Sequence, residues 1–417
     1  MIQKLKNIFW HLPQSIFWNI YFAFPSKKLT LIGVTGTDGK TTSCTLIQKL
    51  LENSGLKCGL ISTINSPGLH TTSPDPKILQ KIFSDYLKLG YSHVVCEVTS
   101  HALDQYRFWG CHFKIGVITN ISHEHLDYHK NIENYIAVKS KLFKQSSLAI
   151  LNRDDEYYLP LKKLIKIPEL SYGIENKADI KASNVKISPS SLEFNLNGEK
   201  YITDSNYQYQ IYNLLACYGV FSQLKLDNQI FKKTIATFPE VKGRREKVDN
   251  DLHLNTIVDF AHTPNSLLVT LQSLRQTTLG RIIVIFGATG GRDKSKRPLM
   301  GKVVSENADI ALITADDTRS EKIEDINSQI ISGIDLKKAI EIEVTNPKIL
   351  NSQIFHFANI PNRQDAFNLA VKIAKAGDTI VACGKGHENT ILHGHTEYPW
   401  SEADAFRSAF RQKTENV

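Results

Sequence analysis

Gly33-Val34-Thr35-Gly36-Thr37-Asp38-Gly39-Lys40-Thr41-Thr42 lies between the β-rich run Leu29-Thr30-Leu31-Ile32 and a stretch of helical character from about Lys40 to Asn53. Glycines at such a turn let backbone N–H groups approach phosphate oxygens, and the start of the following helix favours negative charge. Lys40 is placed to reach β and γ phosphates, and Thr41 or Thr42 to hold Mg²⁺. The run reads as a variant of the P-loop GxxxxGK[ST] that carries an additional glycine. It predicts an ATP site on a doubly wound α/β sheet.

Outward from the loop, CGLIST, HVVCEVTS and KIGVITNI continue the alternation of short β-runs with helical stretches. After Asn152 the pattern changes to DIKASNVKIS and SLEFNLNG, read as antiparallel strands, followed by a helix near Tyr212 to Gln223. The first domain is expected to end around Phe238 to Glu246. A second alternation, LNTIVDFAH, RIIVIFGAT, DIALITADD and DTIVACGKG, each followed by a helical segment, predicts a smaller Rossmann-like unit. The expected organisation is an N-terminal helix over 1–28, an ATP-binding domain over 29–240 and a C-terminal domain over 241–417. No internal repeat or low-complexity tract interrupts it.

The length of 417 residues suits two domains, and 41% hydrophobic with 22% charged residues is ordinary globular usage. The net charge of +8 has no dense basic run behind it, which argues for anionic small substrates rather than nucleic acid. Six cysteines occur without a CxxC pair or a cysteine–histidine ligand spacing, so neither a disulfide framework nor a zinc site is expected, and a cytoplasmic setting fits. Residues 8–24, IFWHLPQSIFWNIYFAF, are apolar and aromatic but interrupted by His11, Pro13, Gln14 and Asn19. They are short for a spanning helix and lack a cleavage site for a signal peptide. Two readings stay open: an amphipathic helix packed on the following domain, or a helix lying on a membrane surface between Lys4, Lys6, Lys27 and Lys28.

Glu97 closes the run HVVCEVTS, and His125 follows the next β-run in TNISHEHLDYH. Both are expected at the carboxyl ends of neighbouring strands, where ligands of open α/β sheets gather. A carboxylate and an imidazole there suit a divalent cation beside ATP.

TGTDGKTT resembles the ATP loop of the Mur ligases and folylpolyglutamate synthases, and the similarity continues in order across most of residues 30 to 400. The resemblance implies further roles. Lys139, in YIAVKSKLF, matches the lysine that is carbamylated in the family to help hold a second Mg²⁺, so Lys139 is expected as an N6-carboxylated residue, with Lys141 solvated. The segment Thr99-Ser100-His101-Ala102-Leu103-Asp104-Gln105-Tyr106-Arg107 is similar to SSHALxQxR of the muramyl-tripeptide synthetases, which maps Thr99, Gln105 and Arg107 onto acceptor contacts. Thr71 and Thr72 match a TT pair on the same substrate, with Ser73 an extra residue before Pro74-Asp75. VKGRRE resembles the VxGRxE signature at the handover between domains. That implies Arg244 on nucleotide, Asp259 on ribose and Asn213 near adenine, although Tyr207-Gln208-Tyr209-Gln210 replaces the GxFN that precedes Asn213 in the family.

GGRDKSKRP (290–298) resembles GGxRDxxKRP, Asp316-Asp317-Thr318-Arg319 occupies the place of DNPR, and GKGHE (384–388) is intact. Arg292, Asp316, Asp317, Arg319, Gly384 and Glu388 therefore map onto amino-acid contacts. The family resemblance implies an ATP- and Mg²⁺-dependent ligase that activates UDP-MurNAc-L-Ala-D-Glu as an acyl phosphate and adds an amino acid, meso-diaminopimelate being favoured over lysine, with closure between the domains bringing the amine to the acyl phosphate. Only about 28 residues precede the ATP domain, where tripeptide synthetases carry a uridine-binding domain. The alternatives are a folylpolyglutamate synthase-like ligase, another Mur-like ligase with a different acceptor, and a non-catalytic Mur-like binding protein.

Overall fold

The computed structural model describes residues 2–65, 72–188, 191–205, 207–237, 241–345, 347 and 354–415. Thr30–Thr35 forms strand β1, buried from Leu31 to Thr35. A run apolar on both faces suits a strand covered by helices on both sides. Ile32 and Val34 enter one core layer while Leu31 enters the other.

Eight further strands complete the sheet: β2 Cys58–Ile61, β3 His93–Glu97, β4 Phe113–Ile118, β5 Ala149–Asn152, β6 Glu169–Gly173, β7 Ile180–Ile187, β8 Leu192–Leu196 and β9 Glu199–Thr203. Their order is β2-β3-β1-β4-β5-β6-β7-β8-β9. Pairings from β2 to β7 are parallel, and β7–β8 and β8–β9 are antiparallel, as the alternating sequence predicts. The chain runs from β1 outward to β2 and β3 on one side and then to β4 on the other. This reversal makes the carboxyl end of β1 a topological switch point, the place where such sheets bind ligands. It also corrects one expectation: β1 stands between β3 and β4, so the two strands are not neighbours.

The helix Lys40–Asn53 follows β1 as predicted, and the later helix begins at Tyr209 and ends at Gln223. These two helices pack together on one face of the sheet. At the N-terminus, an α-helix Ile2–Lys6, a π-helical turn Asn7–His11 and an α-helix Leu12–Tyr21 run continuously. No helix among the described residues is long and apolar enough to cross a membrane.

The chain divides into two compact units, Met1–Ser122 with His129–Pro239, and Glu240–Val417 with His123–Tyr128. The second contains β10 Glu246–Lys247, β11 Asn255–Asp259, β12 Ile282–Phe286, β13 Ile310–Ile313, β14 Ala339–Glu341, β15 Phe355–Asn359 and β16 Thr379–Cys383. They are ordered β10-β11-β16-β12-β13-β15-β14 and are parallel except for β10–β11. After β16 the sequence predicts a helix, but an antiparallel hairpin intervenes, β17 Thr390–His393 and β18 Thr396–Pro399, before the helix Glu402–Glu415. Gly394, at φ +61°, supplies the left-handed turn residue that the hairpin needs. All six cysteines are buried free thiols.

Candidate active site

The phosphate loop is held by residues that arrive from β4. Thr119 Oγ1 donates to the Asp38 carbonyl oxygen at 2.6 Å, and Asn120 both accepts from Asp38 N at 2.9 Å and donates to Asp38 O at 3.1 Å. Gly36 is obligatory here. It sits at φ +146°, and a Cβ would lie 1.8 Å from Thr119 Oγ1. Gly39, at φ +79°, is faced by Asn213 Oδ1, which a Cβ would meet at 2.5 Å. That oxygen also accepts from Ser43 Oγ at 3.3 Å, while Asn213 Nδ2 donates to Gln210 Oε1 at 2.8 Å. Asn213 thus braces the loop from the later helix. Thr37 reaches the Tyr135 hydroxyl at 3.3 Å, and Lys40 Nζ turns back to donate to Thr37 O at 2.8 Å. Thr41 and Thr42 are buried in the first turn of the helix.

Thr41 Oγ1 donates to Glu97 Oε2 at 3.0 Å, so the end of β3 meets the loop as expected. The same carboxylate oxygen accepts from Thr63 Oγ1 at 3.3 Å, and Thr63 donates to Thr72 Oγ1 at 3.1 Å. Ser73 is the centre of the neighbouring network. Its hydroxyl donates to Glu97 O at 2.9 Å and accepts from Thr99 N at 3.1 Å, and its carbonyl accepts from Arg107 Nη1. Arg107 is also held by Gln105 Oε1, at 2.7 Å from Nη2 and 3.1 Å from Nε. Thr72, Thr99, Gln105 and Arg107 are therefore linked to Glu97 through Thr63 and Ser73. Thr71 lies outside the described residues. Sequence reasoning treated Ser73 as an interruption and passed over Thr63, which carries no motif signal.

Lys139 is buried, 1% exposed, in the helix Ile132–Ser140. Its Nζ donates to the Gly36 carbonyl at 2.7 Å and lies 4.5 Å from the centre of the Tyr135 ring. Lys141 is no bystander in solvent: it pairs with Asp104 at 2.7 Å, which corrects that expectation. The hydroxyl of Thr41 and the carboxylate of Glu97 are hard oxygen donors and fit Mg²⁺. No group of three or more His, Cys, Asp or Glu side chains among the described residues forms a ready-made metal cage, so a further carboxylate, such as a carbamate on Lys139, would have to complete one. His125 is displaced from the expected strand end. It sits seven residues beyond β4, at φ +56°, in the segment that belongs to the second unit. There its Nδ1 is 3.7 Å from Glu124, which pairs with Lys296 at 3.4 Å.

In the second unit the predicted motifs pack backbone against backbone. A Cβ on Gly243 would lie 2.0 Å from His387 N, and one on Gly290 would lie 1.9 Å from Thr318 O. VKGRRE is thereby bound to GKGHE, and GGRDKSKRP to the 316–319 loop. Arg244 stacks on Phe260 with its guanidinium carbon 4.1 Å from the ring centre, while Arg245 turns inward onto Thr270 O. Asp259 accepts Arg245 N at 2.9 Å and Ala261 N at 2.8 Å, so its carboxylate shapes the turn after β11.

Charges sort the rest. Arg297 is fully buried and bidentate on Glu321, with two contacts of 3.0 Å. That pairing, with further bonds from Gly291 N and Lys294, holds the Glu321 carboxyl down at about 2. Arg292 is exposed from the same loop and electrostatically coupled to Arg319. Arg319, at φ +52°, has a buried Nε with no hydrogen-bond partner among the described residues. Two adjacent guanidiniums with an unmet donor suit a carboxylate ligand. Lys385, missed although it lies inside GKGHE, is 1% exposed and contacts Asp317 at 2.7 Å, Glu388 at 2.5 Å and Asp316 at 3.8 Å. Burial would raise the Asp316 carboxyl, but Lys385 and Arg363 outweigh it and hold the group below its usual range. Gly384, at φ +113°, brings the chain within 3.0 Å of Asp316 Oδ2, measured from where its Cβ would stand.

Comparison with known proteins agrees with this geometry. The model of the Mur ligase middle domain matches residues 34–221, and that of the Mur ligase glutamate ligase domain matches residues 243–386. A Clostridium acetobutylicum protein named UDP-N-acetylmuramoyl-L-alanyl-D-glutamate–2,6-diaminopimelate ligase 1 is 37% identical over 396 residues, covering 92% of this chain and 78% of the relative. An Aquifex aeolicus ligase of the same name, without the number, is 35% identical over 399 residues, covering 93% and 78%. A solved structure of a ligase of that name superposes with a TM-score of 0.61 at 29% identity, over 93% of this chain and 79% of that one. The Mycobacterium tuberculosis folylpolyglutamate synthase, with a TM-score of 0.71 over 96% and 95% of the two chains, is 14% identical and shares the fold alone. With both domain models matched in order and more than a third of residues identical over nine-tenths of its length, this chain belongs to the Mur ligase family.

Proposed function

We propose that this chain is an ATP-dependent ligase that joins meso-diaminopimelate to UDP-N-acetylmuramoyl-L-alanyl-D-glutamate in peptidoglycan precursor synthesis. The observation that carries the reading is the meeting of Thr41, Glu97 and Lys139 around one phosphate loop, in a chain whose relatives bear that ligase's name. In the first step the acceptor carboxylate attacks the γ-phosphorus and ADP leaves, giving an acyl phosphate. Backbone N–H groups of Gly36 to Thr42 and the Lys40 ammonium carry the charge spread over the transferring phosphoryl oxygens. Lys40 must then leave the Thr37 carbonyl it now holds. Thr41, Glu97 and a carbamate on Lys139 would hold Mg²⁺, which would supply charge neutralisation.

Thr72, Thr99, Gln105 and Arg107 orient the acceptor, with Ser73 fixing Thr99 and Arg107. In the second step the amine attacks the acyl carbonyl and phosphate departs from the tetrahedral intermediate, leaving an amide. Arg292 and Arg319 hold a carboxylate of the amino acid, and the Lys385–Asp316–Asp317–Glu388 cluster orients its polar groups. Arg244 and Asp259 serve the nucleotide. Phosphate release from ATP, measured with UDP-MurNAc-L-Ala-D-Glu and with meso-diaminopimelate, L-lysine or no amine, tests the proposal. Release requiring both acceptor and diaminopimelate, with an amide product by mass, supports it; release with lysine alone, or none with any amine, overturns the substrate assignment.

A further inference from the structure

The N-terminal helix is inside out. Asn7, Ser15 and Asn19 are buried to within 2% of complete, although all three are polar. Asn7 Nδ2 donates to Asp104 Oδ2 at 2.6 Å, and Asn19 Nδ2 donates to Trp109 O at 2.7 Å, so the polar stripe anchors the helix to the first unit. A spacing of four residues overshoots an α-helical turn and would carry such a stripe round the helix. The wider π turn over Asn7–His11 offsets that drift and keeps Asn7 on the side of Ser15 and Asn19.

Most of the apolar residues are turned to the outside, while Leu12, Ile16, Trp18 and Phe22 are half-buried. Phe9 is 74% exposed, Trp10 60% and Tyr21 67%, with Leu5, Phe17 and Ile20 also exposed. A helix that packs on its domain for stability buries its apolar stripe. This one spends polar side chains on the domain and leaves aromatics to water, which costs free energy unless another phase covers them. The charge around the face identifies that phase. Residues 1–37 contain Lys4, Lys6, Lys27 and Lys28 and no Asp or Glu. Lys27 lies 4.3 Å from the Phe24 ring centre, so cation and aromatic are presented together.

We infer that this face docks the enzyme on an anionic lipid surface, with Phe9, Trp10, Phe17 and Tyr21 at the headgroup level and the four lysines against lipid phosphates. Trp and Tyr prefer that boundary, and an amphipathic helix with basic flanks binds it in plane. Docking goes beyond the ligase chemistry and does not depend on it.

The test is flotation of the full-length chain with vesicles of phosphatidylglycerol mixed into phosphatidylcholine, against phosphatidylcholine alone. Binding is expected to the anionic vesicles, to weaken with salt, and to blue-shift tryptophan emission. The triple variant Phe9→Ser, Trp10→Ser, Phe17→Ser alters exposed positions only. It should retain wild-type circular dichroism and ATP turnover while losing affinity by about tenfold or more. Two results overturn the inference. One is failure of the wild type to bind anionic vesicles, or binding that the triple variant retains. The other is sedimentation showing a homodimer that the triple variant dissociates, which would make the face a subunit interface.

Discussion

Lys139 Nζ donates to the carbonyl oxygen of Gly36 at 2.7 Å across 103 residues of sequence, placing a buried amine on the loop predicted to cradle ATP. Burial of a lysine is costly unless its charge is met or its chemistry is used. A neutral amine at that position can add CO2, releasing a proton and gaining a carboxylate.

Lys139→Ala should therefore lower acceptor-dependent phosphate release by on the order of 100-fold. Enzyme equilibrated with ¹³C-bicarbonate should show a carbamate resonance that the variant lacks. A wild-type enzyme with full activity and no such resonance would leave the lysine as a plain cation.

Lys40→Ala should abolish acyl-phosphate formation, since Lys40 is the cation of the loop and its present bond, to Thr37 O, is one that nucleotide can replace. Trapping the acyl phosphate by reduction would report this directly. Unchanged product formation by the variant would refute the mechanism.

Gly39→Ala forces a side chain into φ +79° and against Asn213 Oδ1. The strain should cost about 1–3 kcal/mol and appear chiefly as weaker nucleotide binding, measured by calorimetric titration with ADP. Unaltered ADP affinity would mean that the loop reshapes freely.

Arg297 and Arg319 should separate stability from binding. Arg297→Ala leaves Glu321 in a half-buried site without its bidentate partner and should destabilise the second unit by about 3–5 kcal/mol in urea. Arg319→Ala should leave the urea midpoint nearly unchanged and raise KM for diaminopimelate, because no carboxylate among the described residues pairs with its guanidinium, whereas Arg297 is bidentate on Glu321.

Glu321 also sets an acid limit. Its carboxyl is held at about 2 in the folded chain against an ordinary 4.5. The folded state thus binds the proton less tightly than the unfolded state. The resulting stability is complete above pH 4.5 and disappears as pH falls toward 2. Urea midpoints should fall across that window more steeply in the wild type than in Glu321→Gln; parallel curves would show that the ion pair contributes nothing measurable.

The strand–loop–helix at 30–53, the parallel order that follows from it and the antiparallel strands after Asn152 were legible because each is written in contiguous residues. Burial on both faces demands unbroken apolar runs, and a left-handed turn against another chain segment demands glycine. The same holds for Glu97 beside Thr41, since both leave the carboxyl ends of parallel strands paired in register. The hairpin after β16 was less legible: its strands are short and largely exposed, so they lack the apolar run that marks β12 or β16.

By itself the sequence determined the fold class, the phosphate loop and the motifs that assign the chain to its family. Only the tertiary structure decided that Ser73 links Glu97 to Arg107, that Arg297 is bidentate on Glu321 while Arg319 pairs with no carboxylate among the described residues, that His125 belongs to the second unit, and that the N-terminal helix shows most of its aromatics to the outside. The physical reason is the same in each case: local backbone preference is coded by neighbours in the chain, whereas the partner of a charge or the covered side of a helix is chosen by residues distant in sequence, here 97 positions for Asn7 and Asp104.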